Sequence, residues 1–153
     1  MQNCVEIIKN LYVGNIDALQ NEFDFIVNCT KNVINHPNIN SKNTLFLFDE
    51  KYKDGNFDPV NNYFLCQLIN KTNILNILYL KLYNRNKVLI LCKDGDSVSC
   101  AVTACYLMKM KNYSSAVAIE FIKEVYSKAF SSDVYYINAI YIYENILKEN
   151  CLY

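Results

Sequence analysis

The stretch "VLILCKDGDSVSCAV", residues 88–102, decides how this chain is read. Residues 87–92, "KVLILC", form an apolar run of strand length, as in a central strand buried on both faces. A polar turn around Gly95 interrupts it, and small residues from Ser99 onward continue as a helix. A cysteine at a strand end, followed by a loop running into a helix N-terminus, is a place for a thiolate that attacks phosphate. Positive surroundings and the helix end hold such a thiol at low pKa. Val98 brings no charge to the loop, and Asp94 and Asp96 bring the wrong one.

Outward from this segment, the pattern alternates strands and helices. Upstream, "LYVG" is strand-like and closes on the turn pair Gly14-Asn15, "IDALQNEF" suits a short helix, and "FDFIVNCT" (23–30) suits a buried strand. "VINHPNINSKN" reads as a loop, "TLFLFDE" as a strand and "KYKDGNFDPV" as an exposed turn. Asp58-Pro59 is a helix start, with Asp as N-cap and Pro at the first helical position. That helix runs through "VNNYFLCQLINKTNILNILYLKLYN", with a break near Lys71–Asn73. Helical patterns recur in "SCAVTACYLMKMK", "SSAVAIEFIKEVYSKA" and "SDVYYINAIYIYENILKEN". The order β-α-β-β-α-β-α-α-α predicts an α/β fold, a central mixed sheet of about four to five strands flanked by helices. Without repeats or linkers, residues 1–153 read as a single domain.

Composition narrows the function. The 153 residues are 52% hydrophobic and 20% charged with zero formal net charge. Such a chain folds, and nothing in its charge favours broad binding to nucleic acid or an anionic membrane. Seven cysteines without a CxxC pair, and no signal-peptide pattern, predict reduced thiols in the cytoplasm. His36 is the only histidine, so no metal site is expected, and no cofactor. Apolar runs such as "ILNILYLKLY" are too short and too interrupted to span a bilayer. The wealth of Asn, Ile, Lys and Tyr matches proteins of AT-rich genomes and points to a virus or protist.

Four segments, in the right order and spacing, resemble the dual-specificity phosphatase branch of the protein tyrosine phosphatases. "LYVGN" resembles its first-strand "LYLGN/S", and "FDFIVNCT" its next strand. "VLILCKDGDSVSCAVTACYLMK" is similar to the strand, phosphate loop and helix "VLVHCxxGxxRSxTVxxAYLM". "SSAVAIEFIKEVYSKAFSSDVYYINAIYIYE" resembles the closing "SxxEAxxFVKxxRPxxxPNxxFxxQLxxYE". The resemblance implies that Lys93, Asp94, Gly95, Asp96, Ser97 and Val98 form the phosphate loop. Cys92 would stand at the nucleophile position, Gly95 at the family's glycine, and Ser99 at the hydroxyl that holds the thiolate. The general acid would come from the loop before Asp58-Pro59; Asp54 fits that location better than Asp49, and both also read as turn residues.

Two positions depart from the family pattern. Leu91 replaces the signature histidine and Val98 the signature arginine. That arginine clamps two phosphoryl oxygens through charge-assisted bonds worth about 1.5–3 kcal/mol each. Losing one such donor to the transition state costs on the order of 10²–10³ in rate. A carboxylate 5 Å from a phosphoryl charge costs about 3 kcal/mol at an effective dielectric near 20. Lys93 offsets part of this, and the chain's only arginine, Arg85, lies in the turn before the strand. The expectation is a catalytically inactive pseudophosphatase that acts by binding a protein partner, by scaffolding, or by forming a dimer with a second copy. The alternative is a weak or altered cysteine-dependent phosphatase acting on phosphoprotein or RNA 5′-phosphate. Cys100 and Cys105 are expected to pack in the core. The many tyrosines either complete the core or form an aromatic surface for a partner.

Overall fold

In a computed structural model, which describes residues 3–32, 34–49, 62–132 and 134–150, five strands form one mixed sheet. β1 (Cys4–Ile8), β2 (Leu11–Gly14), β3 (Phe25–Asn28), β4 (Thr44–Phe46) and β5 (Val88–Leu91) lie in the order β1-β2-β5-β3-β4. β1 is antiparallel to β2. The remaining pairs are parallel, with β5 between β2 and β3. Every residue of β3 and β5 is buried, which accounts for the apolar run of β5 and for Phe25-Ile26-Val27 in β3. No helix of the described residues is long and apolar enough to cross a membrane.

Five helices follow the strands' connections: α1 (Asn62–Lys71), α2 (Ile74–Tyr83), α3 (Val98–Lys111), α4 (Ser115–Val125) and α5 (Ile137–Asn150). All five contribute to the main core, with Val27, Val88 and Ile90 from the sheet. The other face of the sheet carries a smaller cluster, in which Ile26, Leu89 and Leu91 meet Ala18 and Leu19 of a 3₁₀ turn (Ile16–Gln20). α3 is buried from Val98 to Met108, as befits a helix that is apolar or small on every side and packs between sheet and helices.

Asparagine performs much of the work that glycine does elsewhere. Asn10, Asn73 and Asn112 take positive φ of 69°, 56° and 58°, conformations that asparagine tolerates better than most residues. Asn10 turns β1 into β2, Asn73 marks the break between α1 and α2, and Asn112 ends α3. The break near Lys71–Asn73 is therefore as read from the sequence. β1 is an addition: "CVEII" carries no clean alternation, and its ladder shifts register between Glu6 and Ile8. The helix start at Asp58-Pro59 lies outside the described residues. α4 is capped twice: Ser114 Oγ accepts the Val117 N–H at 3.2 Å, and the Glu144 carboxylate accepts the Ser115 N–H at 2.6 Å and its hydroxyl at 3.0 Å.

Candidate active site

β5 delivers Cys92 to the C-terminal edge of the parallel strands, where α/β sheets place their sites. The Cys92 N–H donates to the Gly14 carbonyl at 3.1 Å, which extends the β2–β5 ladder by one step. Its thiol is 1% exposed and donates to Ser99 Oγ at 3.1 Å. Ser99, in the first turn of α3, is itself fully buried. The end of β5 and the first turn of α3 thus meet through the Cys92–Ser99 contact.

The loop between them is shaped by two glycines pressed together. Gly95 has φ +79°, and a Cβ there would lie 2.9 Å from Asn15 N and 3.0 Å from the Gly14 carbonyl carbon. A Cβ on Gly14 would lie 2.8 Å from Asn3 O and 2.9 Å from Ala18 Cβ. The "LYVGN" and "KDGD" segments, 80 residues apart, are therefore two sides of one backbone contact. Lys93 and Asp94 are exposed, whereas Gly95, Asp96, Ser97 and Val98 are buried.

Asp96 corrects one expectation. It does not press on the space above Cys92; its carboxylate turns to the segment after α4. Asp96 Oδ2 accepts the hydroxyls of Ser131 at 3.1 Å and Ser132 at 2.8 Å, and its carbonyl accepts the Phe130 N–H at 2.7 Å. Phe130 reaches this position with φ 63°. Asp96 Oδ1 is buried with no partner among the described residues. This latch has no sequence signal, because serines 35 and 36 residues away in a polar turn look like any others. Among the described residues, the carboxylate that lines the cavity's mouth is Asp94.

A cavity of about 780 Å³ opens over Cys92. Its lining includes Cys29, Cys92, Ser97 and Val98, with Ile16, Ile34, Phe48 and Tyr136 as apolar walls. Among the described residues, Lys31, Lys93 and Asp94 are the charged ones that line it, and all three are exposed. Val98 is 6% exposed. Arg85 lies before the start of β5, at the opposite end of that strand from Cys92. Ser97 stands at the N-cap position of α3, but its side chain caps nothing. It is 5% exposed, and its hydroxyl lies 4.0 Å from the Cys92 sulfur.

Cys29, missed as a site residue, lies beside Cys92. Its N–H donates to the Leu91 carbonyl at 2.7 Å, one step beyond the Asn28–Leu91 pair of β3 and β5. Burial pushes its thiol well above the ordinary range, and the nearby Cys92 pushes the same way. The burial of Cys100 and Cys105 raises both thiols, and both pack in the core as expected. Asp49 follows β4 and is not among the cavity's lining residues. Asp54 lies outside the described residues. Among those described, no group of three or more His, Cys, Asp or Glu is placed to hold a metal ion.

Residues 11–146 match the family model described as the dual specificity phosphatase catalytic domain. The chain belongs to the dual-specificity phosphatase family. It is 30% identical over 133 residues to the protein named "Putative tyrosine phosphatase 123R" of Invertebrate iridescent virus 6, covering 82% of this chain and 81% of that one. Among solved structures, human DUSP28 superposes with a TM-score of 0.71 at 19% identity, covering 97% of each chain. The human tyrosine phosphatase-like serine/threonine/tyrosine-interacting protein gives a TM-score of 0.65 at 19% identity, covering 96% of this chain and 99% of that one. The α/β fold expected from the sequence is thus the family's fold, with the sheet at five strands. Within that fold, Leu91 ends β5, Cys92 and Gly95 lie in the loop that follows, and Val98 and Ser99 open α3.

Proposed function

We propose that this dual-specificity phosphatase family member does not turn over phosphate and works by binding a protein. The observation that carries the reading is Val98: a buried apolar side chain occupies the loop position from which an arginine would clamp phosphoryl oxygens. The described cations of the lining, Lys31 and Lys93, are exposed at the mouth, where water screens them. A buried bidentate donor contributes several kcal/mol to such a transition state, by about 10²–10³ in rate per donor. The partner is a protein of the host or virus cytoplasm, or a second copy of this chain. The structural neighbour whose name makes it an interacting protein, and the named viral relative, lend support to that role and source.

One observation favours a second reading, a weak cysteine-dependent phosphatase acting on phosphoprotein or RNA 5′-phosphate: the Cys92–Ser99 contact at 3.1 Å is retained. In that reading Lys93 supplies the missing charge. Steady-state hydrolysis of p-nitrophenyl phosphate separates the two. The binding reading expects the wild-type protein and Cys92→Ser to show the same background rate. A substantial rate that Cys92→Ser abolishes overturns it.

A further inference from the structure

Net charge is zero, but the charges are unevenly laid out. From Pro59 to Lys93 the chain has no Asp or Glu, and neither has α3. α1, α2 and α3 therefore carry cations without carboxylates of their own. Lys81 stands in the last turn of α2, and the exposed Arg85 follows before β5. Lys109 and Lys111 stand in the last turn of α3. None of these four forms an ion pair with a described carboxylate. Asp24 accepts the Lys87 N–H at 2.7 Å and is the carboxylate held by the turn into β5.

The same surface is apolar. On the outer side of α2, Tyr79, Leu80 and Tyr83 are 47%, 58% and 74% exposed, and the two tyrosine rings stack at 6.2 Å with 25° between their planes. Burial raises the Tyr106 hydroxyl and Tyr79 pushes it the same way, so α2 and α3 lie side by side there. Lys109, three positions on from Tyr106, shares that side of α3. Helix dipoles account for cations at two helix C-termini. They do not account for an exposed leucine and two tyrosines beside those cations, whereas aromatic residues and arginine are what protein interfaces are enriched in.

Charge decides what covers this face. A second copy docked by twofold symmetry would set these cations against themselves. A nucleic acid is held mainly through its phosphates, to which Leu80 offers nothing. We propose that the α2–α3 face, at the end of β5 away from Cys92, docks an acidic segment of a partner protein. An apolar side chain of that segment packs on Leu80 and Tyr83, and flanking carboxylates meet Arg85 and Lys109. This rests on the binding reading above and names the surface and the partner's chemistry.

The test is an amide and methyl NMR titration of the full chain with the peptide Glu-Asp-Glu-Leu-Phe-Glu-Asp-Glu. Its counterpart with Gln and Asn in place of Glu and Asp, and a thymidylate oligomer of the same length, are titrated in parallel. The expected result is saturable shifts at the Leu80 methyls and the Tyr83, Arg85 and Lys109 amides with the acidic peptide. Binding is at least about tenfold weaker for the uncharged peptide and for Arg85→Glu. Affinity falls between roughly 0.01 M and 0.15 M salt, as the Debye length shortens from about 30 to about 8 Å. Shifts confined to Lys31 and Lys93, tighter binding of the thymidylate oligomer, or concentration-dependent shifts at Leu80 without peptide each overturn the inference. So does saturation by neither peptide. Hydrolysis of p-nitrophenyl phosphate reads the non-catalytic role separately, so an absent docking site and an active phosphatase are distinct results.

Discussion

Replacing Gly95 by alanine tests how the loop is built. At φ +79° an L residue is strained by about 1–2 kcal/mol. The new methyl group would also stand 2.9 Å from Asn15 N and 3.0 Å from the Gly14 carbonyl carbon. Both are backbone atoms at the end of a paired strand, so they cannot swing aside as a side-chain tip would. Forcing them apart adds about 1–3 kcal/mol, the usual cost of overpacking. The sum, about 2–5 kcal/mol, is a large share of a typical domain stability of roughly 5–15 kcal/mol. For a chain of this size it lowers the melting temperature by roughly 5–20 °C. Gly14→Ala carries no φ strain, since Gly14 has no positive φ, and its cost is the overpacking against Asn3 O at 2.8 Å and Ala18 Cβ at 2.9 Å, about 1–3 kcal/mol. The assay is urea unfolding followed by circular dichroism, with the m-value checked for constancy. A loss below about 1 kcal/mol for Gly95→Ala, within reach of an ordinary surface change, would refute the proposed contact between the loop and β2.

Three further outcomes follow from particular contacts. Ser132→Ala removes the 2.8 Å bond to the buried Asp96 carboxylate and is expected to cost about 1–3 kcal/mol, whereas in the Asp96→Ala background the same change costs nearly nothing; a double-mutant cycle on unfolding free energies measures the difference. The Glu144 carboxyl is held below its ordinary value of 4.5, chiefly by the Ser115 N–H, so its folded pKa lies below its unfolded one. Its contribution is therefore complete above pH 4.5 and is lost as pH falls through the lowered value; the slope of stability against pH in that acid range should flatten in Glu144→Gln. Burial pushes the Cys66 thiol up to about 12, and Cys29, Cys100 and Cys105 are raised as well. Iodoacetamide at pH 8 should leave these four unmodified in the native protein and alkylate them in denaturant, as read by peptide mass spectrometry.

Much of the fold was legible because it rests on local signals. The apolar run of β5, Phe25-Ile26-Val27 in β3, the Asn-rich breaks and the small-residue helix after Gly95 each carry their structure in a few adjacent residues. β1 was not legible, since it is held by its pairing with β2 rather than by its own pattern, with Glu6 in its middle. At the site, the resemblance implied roles for Cys92, Gly95, Ser99 and Val98, and the structure gathers all four at one strand–loop–helix junction. The direction of a side chain was not legible. Asp96 was read as a charge facing the ligand, but it faces Ser131 and Ser132, and only tertiary packing brings those serines within 3.1 Å. Cys29 became a site residue for the same reason: strand register places it beside Cys92.

The central claim concerns what the Cys92 sulfur does when offered a phosphate ester. Acid-quenched intact-protein mass spectrometry, after incubation with a phosphotyrosine compound, reads the cysteinyl-phosphate directly. The account predicts no adduct on the wild-type chain, at any quench time, above the level found in Cys92→Ser. A phosphoryl adduct that appears on the wild-type protein, maps to Cys92 and decays with turnover would contradict it.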